Sequence, residues 1–135
     1  MRAVEHAVKR RVKATKGAIG NFPFGKQKFY VVDFVFRLCF CTREGLFRFA
    51  LEADRILKET GWLIVQDYFA ATPIDKSCHR LEGNRPCNMD YRKLWDWHPS
   101  SICYSHQISG HDTFRICGDS DEWVVTCVLQ KLKNS

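Results

Sequence analysis

Apolar positions change period several times along the chain, and each change marks an expected element. Val4, Ala7, Val8 and Val12 recur at helical spacing, which predicts a helix over Met1–Arg11 with a solvated basic face. Val12–Ile19 reads as a short strand ended by Gly20 and Asn21, and Phe22–Lys28, with Pro23 and Gly25, as a turn. Phe29–Phe40 is rich in Val and Phe and nearly continuous in its apolarity, the pattern of a central strand covered on both faces. Thr42 is placed to cap a helix over Arg43–Lys58, and Glu44 in its first turn suits the helix dipole. Leu46, Ala50, Ala53 and Leu57 fall on one face, Phe47 and Phe49 widen it, and Asp54 and Lys58 stand at pairing distance. Gly61 supplies the stop, and Trp62–Gln66 begins a second buried strand. Strand, helix, strand in this order is a parallel crossover unit.

From Ala70 to Ser100 no period holds, while Pro73, Gly83, Pro86 and Pro99 punctuate a stretch carrying Tyr91, Trp95 and Trp97. A long irregular segment of this kind usually carries function. Ile102–Ser109 and Glu122–Lys131 read as two last strands, antiparallel across the loop His111–Asp121. The expected architecture is one α/β domain over residues 1–135, with a mixed sheet ending in an antiparallel hairpin.

Composition narrows the picture in three ways. With 135 residues and 45% apolar content, the chain can bury one core. The longest apolar run, Val31–Phe40, is broken by Asp33 and Arg37, too early for a membrane span. The N-terminus lacks the apolar region of a secretory signal, so the seven cysteines read as free thiols of a cytoplasmic protein. The net charge of +6 is concentrated in residues 1–16, where six basic side chains face Glu5 alone. Such an end suits phosphate backbones or an anionic surface, and a solvated helix face is the plainer reading. Nucleic acid is not the expected partner.

Phe36–Phe69, FRLCFCTREGLFRFALEADRILKETGWLIVQDYF, resembles the fourth strand, following helix and fifth strand of class I S-adenosylmethionine-dependent methyltransferases. Arg55, Ile56, Leu57, Lys58, Gly61, Trp62, Leu63 and Asp67 fit that family's helix end and strand opening, with Glu59 and Thr60 replacing the usual Pro-Gly. Gly17–Phe29 is similar to the stretch that leaves the third strand, matching at Pro23 and Phe24 and departing at Gly20 and Tyr30, where the family commonly carries Asp. Met89–Trp97 and the last strand resemble the insertion and closing strand of a bacterial subgroup. The likeness implies a partial Rossmann-like methyltransferase sheet, strands three to seven of the family. The 135 residues contain no G-x-G-x-G, the turn that lets the backbone approach the cofactor.

The resemblance also nominates residues. Gly20, Asn21, Phe22, Phe36, Arg37 and Leu38 fall where the family holds S-adenosylmethionine. Asp67 and Tyr68, just past a strand end, are candidates to align or deprotonate the methyl acceptor, with loop hydrogen bonding as the structural alternative. Tyr91, Trp95, Trp97 and His98 form an aromatic cluster suited to roof a small-molecule or sugar pocket, or simply to pack. Cys78, His79, Cys87, Cys103 and His106 invite a zinc reading, but Cys103 and His106 on one strand should point to opposite faces, so no metal is expected. Three functions remain open: a methyltransferase, a non-catalytic binding or assembly module derived from one, and half of a split enzyme. In each, the strand 29–40 would be an edge, covered by a second copy, by a complementing chain or by Val12–Ile19.

Overall fold

A computed structural model describes residues 15–18, 20–71, 74–75, 87–110 and 123–133. The helix expected over Met1–Arg11 and the hairpin loop His111–Asp121 lie outside the described residues. In chain order the elements are β1 (Phe29–Val35), a 3-10 turn η1 (Leu38–Phe40), α1 (Arg43–Ile56) and β2 (Leu57–Tyr68), followed by β3 (Ile74–Asp75) and β4 (Cys87–Asn88). A second 3-10 turn η2 (Tyr91–Leu94) leads to β5 (Ser101–Gly110) and β6 (Trp123–Lys131). The sheet order is β1-β2-β6-β5, with β1 and β2 parallel and β6 antiparallel to both of its neighbours. The crossover unit and the closing antiparallel pair both follow the sequence expectation. Strands β3 and β4 form a separate two-stranded ladder inside the segment without period.

One sheet face carries Phe34, Leu63, Val65, Cys127 and Leu129, and these pack with Phe49, Ala53, Leu57, Tyr91 and Trp95 in a single core. Thr42 caps α1 as expected, its Oγ1 accepting from Gly45 N at 3.1 Å. The face predicted for the helix holds at Ala53 and Phe49, whereas Phe47 points outward. The opposite sheet face is less covered, since Val31 and Val35 on β1 are exposed and Trp62, Ile64 and Val128 half-buried.

Five expectations are corrected. The strand expected over Phe29–Phe40 ends at Val35, because Phe36 turns the backbone at φ 50°. The helix expected to reach Lys58 ends at Ile56, and Leu57 already pairs with Phe29 as the first residue of β2. Gly61 therefore lies inside β2, in an irregularity where the register jumps from Phe29↔Leu57 to Val31↔Trp62. A Cβ at Gly61 would sit 2.7 Å from Lys58 O and 2.8 Å from Leu57 Cδ1, so the tight bend, not a helix stop, demands glycine. Asp54 does not meet Lys58: Lys131 Nζ approaches Asp54 at 3.5 Å, and Lys58 stacks over the Tyr30 ring. The strand expected at Val12–Ile19 is absent over residues 15–18, where Ala18 makes only a single bridge to Asn21. Equivalents of the family's third strand are thus not present among the described residues, which supply four main strands rather than five.

Candidate functional site

The carboxyl end of β1 opens a cleft of about 650 Å³, within the range of small-molecule sites. Its walls include Phe22, Pro23, Phe24, Asp33, Val35 and Arg37. Two local devices build it. Phe36, at φ 50°, is a bulky residue in the left-handed region, a conformation that costs of order 1–3 kcal/mol and recurs at ligand-binding turns. Its amide still donates to Gln66 O at 2.8 Å, and its ring leans on Tyr68 at 5.2 Å, so the kink is held from β2. Beyond it Arg37 faces solvent at the rim, while Leu38 and Cys39 turn inward.

The opposite wall is held by α1. Glu52 Oε2 accepts from Phe22 N at 2.8 Å, and Arg55 donates to Phe22 O, Phe24 O and both Glu52 oxygens. The Arg55 hydrogen bonds, aided by the Phe22 amide, hold the Glu52 carboxyl down at about 2. This network fixes the loop on which Gly20, Asn21 and Phe22 stand. Gly20 adopts φ 75°, and a Cβ there would meet Arg48 Cβ at 2.5 Å. Of the six residues nominated for the cofactor, Phe22 and Arg37 line the cleft. Leu38 is buried in the core, and Gly20, Asn21 and Phe36 shape its borders without lining it.

Asp67 is wholly enclosed beneath the cleft. Its Oδ2 accepts from Leu38 N at 2.8 Å and Cys39 N at 3.2 Å, and its Oδ1 accepts from its neighbour's amide, Tyr68 N, at 2.8 Å. Burial pushes its carboxyl up to about 6, against the lowering effect of the Cys39 thiol and the Cys39, Leu38 and Arg37 amides. Such a carboxylate holds η1 in place, which is the hydrogen-bonding alternative foreseen for it. Tyr68 is likewise buried.

The aromatic cluster does not gather over this cleft. Tyr91 is fully buried and its hydroxyl donates to Cys87 O. Trp95 is buried too, and its Nε1 donates to Ala50 O at 3.3 Å, tying the η2 segment to α1. Together with Trp97 and His98 it lines a separate cleft of about 570 Å³, beside Phe47, Leu51 and Lys93. No residue is common to the two clefts. Asp33, an acidic residue in an otherwise apolar strand, is the lining residue that the sequence reading treated only as an interruption. Its signal was present: a charge in a buried-strand pattern needs water or a ligand beside it.

The described cysteines Cys39, Cys41, Cys87, Cys103 and Cys127 are all free. Burial, with the Asp67 charge beside them, raises the Cys39 and Cys41 thiols, so neither is an activated nucleophile. Among the described residues no helix is long and apolar enough to cross a membrane.

No protein-family model matches the sequence, and no curated protein does either. Solved structures do. The chain superimposes on the Burkholderia thailandensis 1,6-didemethyltoxoflavin-N1-methyltransferase, a structure with bound 1,6-didemethyltoxoflavin and S-adenosylhomocysteine, with TM-score 0.74 and 9% identity over 96% of this chain and 56% of that one. A Methanosarcina mazei S-adenosylmethionine-dependent methyltransferase matches with TM-score 0.67 and 11% identity over 98% of this chain and 77% of that one. The cyclase SpnF matches with TM-score 0.66 and 12% identity over 98% of this chain and 60% of that one. The chain thus has the Rossmann-like fold of class I methyltransferases, and it spans little more than half the length of the Burkholderia enzyme.

Proposed function

We propose that the chain is part of an S-adenosylmethionine-dependent methyltransferase acting on a small molecule or sugar. The supporting observation is the cleft at the carboxyl end of β1, where open α/β sheets take their ligands. Two segments nominated by resemblance, around Phe22 and around Arg37, meet there. Arg37 and Asp33 offer opposite charges at its wall, which suits a ligand carrying both an ammonium and a carboxylate, as the methionine part of the cofactor does.

Methyl transfer is a displacement at carbon, and the enzyme's task is chiefly alignment. Asp67 positions η1 and, through it, the rim that carries Arg37. Phe22 and Phe24, fixed by the Glu52–Arg55 network, supply apolar surface for a flat ring. The G-x-G-x-G turn that would complete the cofactor site is not in these 135 residues. The same fold also serves a cyclase, so methyl transfer rests on the site and not on the fold.

Titration calorimetry with S-adenosylhomocysteine tests this, on the chain alone and mixed with a candidate chain bearing the acidic residue and glycine turn. The expected result is weak or no binding alone and saturable binding by the pair, lost on Arg37→Ala. Low-micromolar binding by the chain alone overturns the need for the missing turn. Silence in both arms overturns the methyltransferase reading and leaves the non-catalytic module.

A further inference from the structure

Behind η2, away from the cleft at β1, two buried polar atoms make no hydrogen bond among the described residues: Asp90 Oδ1 and His106 Nε2. They face each other at 3.4 Å. Cys127 Sγ completes a group of three ligand atoms, all within 4.8 Å of one another. Asp90 stands just before η2, His106 on β5, and Cys127 directly opposite it on β6. Arg92 Nε holds the other Asp90 oxygen, Oδ2, at 2.9 Å, so the free oxygen is turned toward the imidazole. Fixing a carboxylate ligand through its second oxygen is the usual work of groups surrounding a metal.

The sequence argument against a metal was that Cys103 and His106, three residues apart on a strand, point to opposite faces. The register removes it. An irregularity between Cys103 and Ser105 leaves Tyr104 as an extra residue, so Cys103 opposes Leu129 and His106 opposes Cys127. Leu129 and Cys127 alternate onto the same face of β6, and both are buried.

We propose that Asp90 Oδ1, His106 Nε2 and Cys127 Sγ bind one divalent metal ion of borderline softness, with zinc preferred and water in the fourth position. One oxygen, one imidazole and one thiolate suit zinc and its neighbours and exclude magnesium and calcium. Bonds of roughly 2.0–2.3 Å in a tetrahedron give ligand–ligand edges of roughly 3.3–3.6 Å, and the 3.4 Å Asp90–His106 separation already has this length. Carboxylate and thiolate together neutralise the ion, while Arg92 is shared with Asp96 at 3.7 Å. The ion would lock the η2 segment onto the closing hairpin.

The test is cobalt(II) titration of the full, metal-free, reduced chain. One equivalent should bring a thiolate-to-cobalt charge-transfer band and strong visible bands of tetrahedral cobalt, both bleached by zinc. His106→Gln should weaken binding roughly tenfold or more. Cys127→Ala should abolish the charge-transfer band, and Cys103→Ala should keep it, with circular dichroism confirming that each variant is folded. Cadmium NMR on the unsubstituted chain reads the ligand set without any substitution and should show one sulfur. A silent titration, a band that survives Cys127→Ala in folded protein, or a cadmium resonance without sulfur overturns the site and leaves Asp90 and His106 as an ion pair.

Discussion

Asp67→Asn separates two opposing roles of one buried carboxyl. In the native chain Oδ2 serves Leu38 N and Cys39 N while Oδ1 serves Tyr68 N. Asparagine has one oxygen, so whichever way it turns, its amide group faces a backbone donor. An orphaned buried donor costs about 1–3 kcal/mol. Against this, the substitution removes a charge from a site where burial disfavours it. The pH dependence distinguishes the two. The folded carboxyl titrates at about 6 against a reference of 3.8, so it binds its proton more tightly folded than unfolded. Its stabilising effect is fully present below pH 3.8 and lost as pH rises through about 6, a change of about 3 kcal/mol at 1.36 kcal/mol per unit. The useful quantity is the difference between native and Asp67→Asn unfolding free energies, in which every other group cancels. Urea titrations from about pH 4 to about pH 8 should show that difference falling by about 2.4 kcal/mol, the part of the change that lies within this window. A flat difference, or one that grows with pH, would refute the claim that burial outweighs the three amide hydrogen bonds.

Leu57→Ala should cost about 2–5 kcal/mol, since Leu57 packs in the core, whereas Lys58→Ala should cost no more than the roughly 0.5–1 kcal/mol of an exposed cation–π contact with Tyr30; equal losses by denaturant titration would misplace both. Arg55→Ala should speed hydrogen exchange at the Phe22 amide far more than at Val65, and uniform acceleration would mean that the Glu52–Arg55 network is not what holds the wall of the cleft.

The sequence carried the crossover unit and the closing pair because both depend on long apolar runs with clear period. It misplaced their ends where one backbone dihedral decides. Phe36 at φ 50° stops β1 inside an apolar run, and nothing about Phe announces a left-handed turn. The α1–β2 junction fails for a related reason: helix and strand share Leu57 with no loop, so glycine at 61 looked like the first stop available. Arg37 and Phe22 were legible through their motifs. The split of the aromatic cluster was not, because Tyr91, Trp95 and Trp97 lie within seven residues and only the 3-10 geometry of η2 sends Tyr91 and Trp95 inward and Trp97 out. The facing of Cys103 and His106 was hidden by a bulge, which inverts the alternation that sequence reasoning relies on.

The edge at β1 carries the last prediction. Among the described residues β1 pairs only with β2, and its Tyr30, Val31 and Val35 are 67%, 53% and 45% exposed. Natural edges are usually short, charged, proline-bearing or covered, and β1 has Asp33 as its single charge over seven residues. Covering by Val12–Ile19 fails over residues 15–18, where Ala18 bridges Asn21 instead. A second copy, a complementing chain or a segment outside the described residues is then the expected cover. Asp33, Phe34 and Val35 belong both to this edge and to the wall of the 650 Å³ cleft, so whatever pairs with β1 also borders the cleft. Assembly and ligand binding should therefore strengthen each other by the same factor. Sedimentation at several concentrations, with and without S-adenosylhomocysteine, should show association that rises with concentration and tightens with ligand, and exchange at residues 29–35 should slow in parallel. A strict monomer whose β1 amides exchange rapidly would refute the coupling and, with it, the view that this sheet is completed by another chain.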